Sequence, residues 1–265
     1  MFICKWADAG NLGKCIIPRK NNDVNLIVEQ GNSSTKVAVV EDWKIMASFV
    51  YRVFNKDVLA PLFHAYPLDK GIFSTVKAVD DEVVAYLKRH LSKFIFFDSQ
   101  VKLPITVGYK TPDTLGKDRI AAVVGAYHHR PGRNLLVIDA GTCITYEILD
   151  ATGRYVGGNI SPGMTTRFKA LNHYTSKLPY IGETEDIPDI GQCTEEAIRA
   201  GVVNGIVFEM EGYIEQMKQK YPDIFVFLTG GHSFYFESRL KSSIFADINL
   251  VMTGLNRILE YNVEI

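Results

Sequence analysis

Apolar and polar positions along this chain switch between two periods. The stretch NLIVEQGNSSTKVAVV (25–40) reads as a short apolar strand, a polar turn and a second strand, and LLVIDAGTCITYEILD (135–150) repeats the plan. Each places an acid two residues before a Gly and a Thr four residues after it (Thr35, Thr145). The two glycines are 141 − 31 = 110 residues apart. Helical spacing is predicted over 81–91 and about 116–129, with strands near 72–76 and 94–97. After the second hairpin and the pair Gly157-Gly158 the pattern predicts a helix from about 163, a long helix over 194–220 and a strand over 224–229. A Gly230-Gly231 turn and two further helices end the chain. Strands interspersed with amphipathic helices place the chain in the α/β class. The repeated hairpin predicts a duplicated architecture: two lobes, 23–133 and 134–265, with a cleft between them. A single α/β domain with two unrelated hairpins is the alternative.

Residues 1–22 lack strand or helix periodicity and the charged-then-apolar order of a signal peptide, so they read as an unstructured extension ahead of Val24. No apolar run reaches membrane-spanning length. With 265 residues, 47% hydrophobic, 22% charged and a net charge of −1, the composition is that of an ordinary globular protein. It gives no electrostatic case for nucleic acid or a membrane surface as partner. Cys4, Cys15, Cys143 and Cys193 show no CxxC pairing, which fits a reducing compartment better than a disulfide or zinc framework. Cys143, inside an apolar strand pattern, reads as a small buried thiol.

The chemistry concentrates in the loops. Gly lets the backbone approach a phosphate chain, and short polar side chains beside it (Asn32, Ser33, Ser34; Thr142) add donors. Glu29 and Asp139 are each placed to hold a cation against phosphates, directly or through water. Lys36 adds a positive charge or simply faces solvent. A tight turn that uses Asn or Thr for its geometry is the plain alternative for either loop. The segment GYKTPDTLGKDR (108–119) precedes a helix. There Asp118 is a candidate proton acceptor and Arg119 a bidentate anion ligand, although an Asp in a first helical turn also suits the helix dipole. Thr194 is a contact residue or an N-cap.

Together EQGNSSTK (29–36), YKTPDTLGKDR (109–119), IDAGTCITYEILD (138–150), GGNISPG (157–163), ALNHYTSKLP (170–179), TEEAIRAG (194–201) and TGG (229–231) resemble the type III pantothenate kinases, of the acetate and sugar kinase/Hsp70/actin superfamily. The resemblance implies duplicated ribonuclease-H-like, actin-like ATPase lobes and ATP-dependent phosphorylation of pantothenate, the first step of coenzyme A biosynthesis. It implies Mg²⁺, a monovalent cation (K⁺ or NH₄⁺), a cytoplasmic homodimer and these roles. Glu29, Gln30, Gly31, Asn32, Ser33, Ser34, Thr35, Lys36 and Thr142 contact ATP. Asp118 is the catalytic base; Tyr109, Gly116, Lys117, Asp118, Arg119 and Thr194 contact pantothenate. Asp139 binds the monovalent cation. Glu29 departs from the family's usual Asp. That departure keeps open a weakly active or non-catalytic relative acting as an accessory or regulatory factor.

Overall fold

The computed structural model describes residues 5–6 and 24–264. The expectation for residues 1–22 lies outside the described residues except for Lys5–Trp6 (β1). The strands that follow are β2 (Val24–Gln30), β3 (Thr35–Glu41), β4 (Lys44–Tyr51), β5 (Leu68–Thr75), β6 (Lys93–Phe96), β7 (Thr106–Val107), β8 (Leu135–Ala140), β9 (Cys143–Leu149), β10 (Arg154–Pro162), β11 (Phe225–Thr229) and β12 (Phe245–Ala246). The helices are α1 (Ala60–Ala65), α2 (Asp81–His90), α3 (Lys117–His129), α4 (Met164–Tyr174), α5 (Thr194–Lys220), α6 (Ser233–Glu237) and α7 (Leu250–Val263).

Two six-stranded sheets form, ordered β1-β4-β3-β2-β5-β6 and β12-β11-β8-β9-β10-β7. In the first, β4-β3-β2 is an antiparallel meander and β5 and β6 extend it in parallel. In the second, β10-β9-β8 is the same meander, and β11 and β12 extend it in parallel from the same side. The same strand order with the same pairing senses is the duplication that the two hairpins predict.

The chain divides into two compact units. The first holds the described residues through Thr106, together with Lys110–His128 and the last helix from Leu250; the second holds Val107–Tyr109 and His129–Asn249. The last helix is therefore grouped with the first unit, whereas the sequence reading assigned it to 134–265. Its packing explains the grouping. A Cβ on Gly254 would lie 1.8 Å from the Ala121 carbonyl oxygen, and one on Gly125 2.1 Å from that of Leu250, so α3 and α7 touch backbone to backbone. On the sheet, buried Asn25 donates to Asn256 (2.8 Å) and Glu260 (2.6 Å), and Lys70 pairs with Glu260 at 3.3 Å. On the opposite face Leu26 and Val28 pack with Leu62 of α1 and Val83 and Leu87 of α2. A strand covered on both faces carries apolar residues on both, which explains why Leu26-Ile27-Val28 of β2 show no alternation.

In the second unit α5 presents Ile198, Val202, Ile206, Met210 and Ile214 at four-residue spacing to Leu136, Ile138, Ile144 and Tyr146 of β8 and β9. Cys143 is exposed, against expectation, because it opens β9 at the rim of the sheet and the inward alternation starts at Ile144.

Candidate functional site

In the first unit the β2–β3 turn is built on a fixed register, Glu29 opposite Lys36 and Gln30 opposite Thr35. The Gly31 N–H closes the turn on the Ser34 carbonyl at 3.0 Å. Gln30 ties the base of the turn to the neighbouring strand. Its side-chain oxygen accepts from the Thr75 hydroxyl (2.8 Å), and its carbonyl accepts from the Val76 N–H (3.1 Å). Thr35 is buried, whereas Asn32 and Ser33 are exposed at the tip. Glu29 Oε1 lies 3.1 Å from where a Cβ on Gly31 would stand, so the carboxylate folds back over its own glycine.

The same unit carries Gly116–Arg119 at the start of α3. Asp118 Oδ1 accepts the Arg119 N–H at 2.9 Å and lies 2.5 Å from the Cβ that Gly116 lacks. Only glycine leaves room for this carboxylate to curl over the helix start. Lys117 places its ammonium 5.6 Å from the centre of the Phe97 ring, and Arg119 is buried.

In the second unit, Asp139 and Thr142 flank the tight β8–β9 turn, which the Gly141 N–H closes on the Cys143 carbonyl at 3.0 Å. Two elements brace this turn. From α4, the Gly163 N–H and the Thr166 hydroxyl both donate to the Thr142 carbonyl, at 3.0 and 2.7 Å. From the β11–α6 connection, Gly230 (φ +96°) approaches so closely that a Cβ there would lie 2.4 Å from Asp139 Oδ1, and the His232 N–H donates to the Ala140 carbonyl at 3.0 Å. The Gly230-Gly231 turn predicted from sequence is thus packed on the Asp139 loop. Tyr109 follows β7, with its ring 6.0 Å from that of Tyr155. Thr194 is the exposed first residue of α5; Cys193 takes the cap position, so capping does not account for the Thr194 hydroxyl. The bracing residues Thr166, His232 and Glu183 are not among the residues the sequence singles out. Thr166 and His232 follow GGNISPG and TGG within a few positions, a signal that was available, whereas Glu183 lies in irregular chain with none.

Among the described residues no three His, Cys, Asp or Glu side chains gather as a metal cluster. Each glycine loop instead brings one carboxylate beside a backbone stripped of Cβ. The Glu29 carboxylate of the first loop fits Mg²⁺, which favours one or two carboxylates completed by phosphate oxygens and water.

The type III pantothenate kinase family model matches residues 25–216, a span that includes both glycine loops, Asp118 and Thr194. The chain belongs to the type III pantothenate kinases. A relative named type III pantothenate kinase, from Phocaeicola vulgatus, is 48% identical over 239 residues, covering 90% of this chain and 99% of its own. Among solved structures, a Campylobacter jejuni protein described as a Baf-family transcriptional activator is similar at a TM-score of 0.58 and 22% identity, over 91% of this chain and all (100%) of that one. The ethanolamine utilization protein EutJ of Carboxydothermus hydrogenoformans follows at 0.52 and 14%, over 91% of each chain. These two likenesses speak to the fold alone. Membership in a kinase family implies ATP as donor, with Mg²⁺ beside it.

Proposed function

We propose that this chain phosphorylates pantothenate with ATP, and that Asp118 accepts the proton of the pantothenate hydroxyl as its oxygen bonds to the γ-phosphorus and ADP leaves. The observation that carries the reading is the family match spanning both glycine loops and the intact Gly116–Arg119 stretch. Phosphoryl transfer depends on positioning and charge neutralisation more than on covalent chemistry, and these residues suit that task. Asp118, fixed by the Arg119 N–H and seated over Gly116, is held in one orientation. The exposed tip of Glu29–Lys36 offers backbone N–H groups and hydroxyls to the nucleotide phosphates, and Thr142 offers a further hydroxyl. Mg²⁺, when bound, neutralises charge on the β- and γ-phosphates. Tyr109, Lys117, Arg119 and Thr194 contact pantothenate in this reading, with Lys117 and Arg119 supplying positive charge for its carboxylate. Asp139 holds a K⁺ or NH₄⁺ ion.

The working form is a cytoplasmic homodimer. Ile160 and Phe208 of the second unit support the assembly: both are large apolar side chains that stay well exposed (62% and 72%).

The test is ADP release measured with and without pantothenate and K⁺. Turnover should require pantothenate, rise with K⁺ and fall by orders of magnitude in Asp118→Asn. The absence of pantothenate-dependent release would return the chain to the accessory-factor reading, and an unimpaired Asp118→Asn would remove the base assignment.

A further inference from the structure

We infer that Glu183 is a positioning residue for the nucleotide loop, acting as a clasp that ties together the two elements bracing Ala140–Thr142. The inference rests on the reading of Thr142 as an ATP contact. Glu183 Oε1 accepts the Thr165 hydroxyl at 2.9 Å and meets His232 Nε2 at 3.1 Å. Each partner sits beside a brace. Thr165 precedes Thr166, whose hydroxyl holds the Thr142 carbonyl, and His232 gives its own N–H to the Ala140 carbonyl. One carboxylate therefore joins the first turn of α4 to the Gly230 turn, behind the loop that they hold.

Beyond its backbone contacts, the Gly230 turn has few side-chain hydrogen bonds to fix it. Thr229 Oγ1, His232 Nδ1 and Ser233 Oγ are all buried without a hydrogen-bond partner. Thr229 and Ser233 are almost wholly buried, at 1% and 0% exposure. Within residues 229–233 the contact to Glu183 is thus the side-chain hydrogen bond that anchors the turn. A carboxylate only accepts, so Nε2 carries the proton that it gives to Glu183, and in the neutral ring Nδ1 is left as a bare acceptor. The chain around Glu183 is strapped to α6 and to the residues just after it by two more links. The Tyr235 hydroxyl donates to the Thr184 carbonyl at 2.6 Å, and Arg239 reaches the Glu185 carbonyl at 2.8 Å and its carboxylate at 3.1 Å. Those links hold the segment in place when Glu183 is changed, so a substitution there tests the clasp and leaves the fold.

The experiment measures ADP binding by calorimetry, KM for ATP and for pantothenate, and thermal stability, in wild type, Glu183→Ala and Glu183→Gln. Glu183 is partly exposed, so Glu183→Ala should weaken ADP binding and raise KM for ATP together by about three- to fivefold. KM for pantothenate and kcat should stay within about twofold. Glu183→Gln should recover most of the loss, because its amide oxygen accepts the same two hydrogen bonds. ADP affinity unchanged in Glu183→Ala would overturn the inference, as would a Gln variant no better than Ala, or a loss shared equally with pantothenate. A wild-type chain that turns over but binds ADP no better than Glu183→Ala removes the clasp and keeps the kinase. A wild type that neither binds ADP nor turns over removes both.

Discussion

The two glycine hairpins share an acid two residues before a glycine, yet they differ in register and are supported differently. The first connects β2 to β3 through Gly31–Ser34, and Gln30 ties its base to Thr75 and Val76. The second connects β8 to β9 through Gly141–Thr142 alone and is gripped from two sides, by Gly163 and Thr166 and by Gly230 and His232. In the first, the nearest neighbour of the missing Cβ is the movable tip of Glu29, at 3.1 Å; around the second, absent Cβ atoms leave room for other backbone at distances down to 2.1 Å. A short turn wedged by backbone on both sides has few alternative conformations, while a longer turn with exposed tip residues keeps several. The duplicated fold has thus produced one adaptable phosphate loop and one rigid one.

Paired alanine substitutions give the largest contrast. Gly230→Ala forces a side chain into φ +96° and against Asp139 and the Ala140 backbone. It should cost about 3 kcal/mol of stability and, by displacing the loop, about a hundredfold in kcat/KM. Gly31→Ala meets only the flexible Glu29 tip and a carbonyl at 3.4 Å. It should cost under about 1 kcal/mol and reduce turnover about tenfold. Equal losses of stability in the two, read by denaturant unfolding, would erase the distinction.

The shared plan of the hairpins was legible because β2 and β8 lie under helices and advertise themselves as unbroken apolar runs. Asp81–His90, α3 and α5 were equally legible through their spacing. β4 was not: it follows a turn at Asp42-Trp43 in which both residues have positive φ (49° and 63°) without the Asn-Gly or Asp-Gly signature that announces such turns. β10 was hidden by Gly157-Gly158, which reads as a break but lies inside a strand, just after a bulge between Tyr155 and Gly157. In the site, the loops themselves could be read because acid and glycine fall at short fixed spacing. The bracing of the second loop could be read only in part: Thr166 and His232 stand beside motifs, but their link through Glu183 joins segments that only the fold brings together.

The rigid loop also depends on how α4 is held. Arg167, one residue beyond Thr166, pairs with Glu209 and donates to Ser161 Oγ and the Pro162 carbonyl, each at 2.8 Å. Burial alone would raise the Glu209 carboxyl, but hydrogen bonds from Arg167, Tyr146 and Ser161 hold it below its ordinary value of 4.5. A depressed carboxylate stabilises the fold fully above that ordinary value and loses its contribution as pH falls through the lower folded value. Arg167→Met should therefore lower stability by about 1–2 kcal/mol at pH 7, after allowing for solvent screening. The gap from wild type should narrow as pH drops below 4.5. A gap independent of pH, in thermal melts from pH 7 to pH 3, would mean that the pair does not hold α4.

Glu29→Asp is expected to have the smallest effect and probes the adaptable loop directly. In the second hairpin Asp139 Oδ1 stands 3.5 Å from the Cβ position of Gly141, across a turn of only Gly141–Thr142. In the first, Glu29 Oε1 reaches 3.1 Å from the corresponding point on Gly31, across the longer Gly31–Ser34 turn. The extra methylene lets the carboxylate reach a backbone that stands farther from the strand ends, so the long turn and the long acid act as a matched pair. Shortening the acid alone should reduce kcat about three- to fivefold, and raise the Mg²⁺ concentration needed for half-maximal rate by a similar factor, because the carboxylate retreats while the loop stays. Stability should not change, since Glu29 is not part of the core. A faster Glu29→Asp enzyme would show the pairing to be a handicap, with the first loop held back by its glutamate.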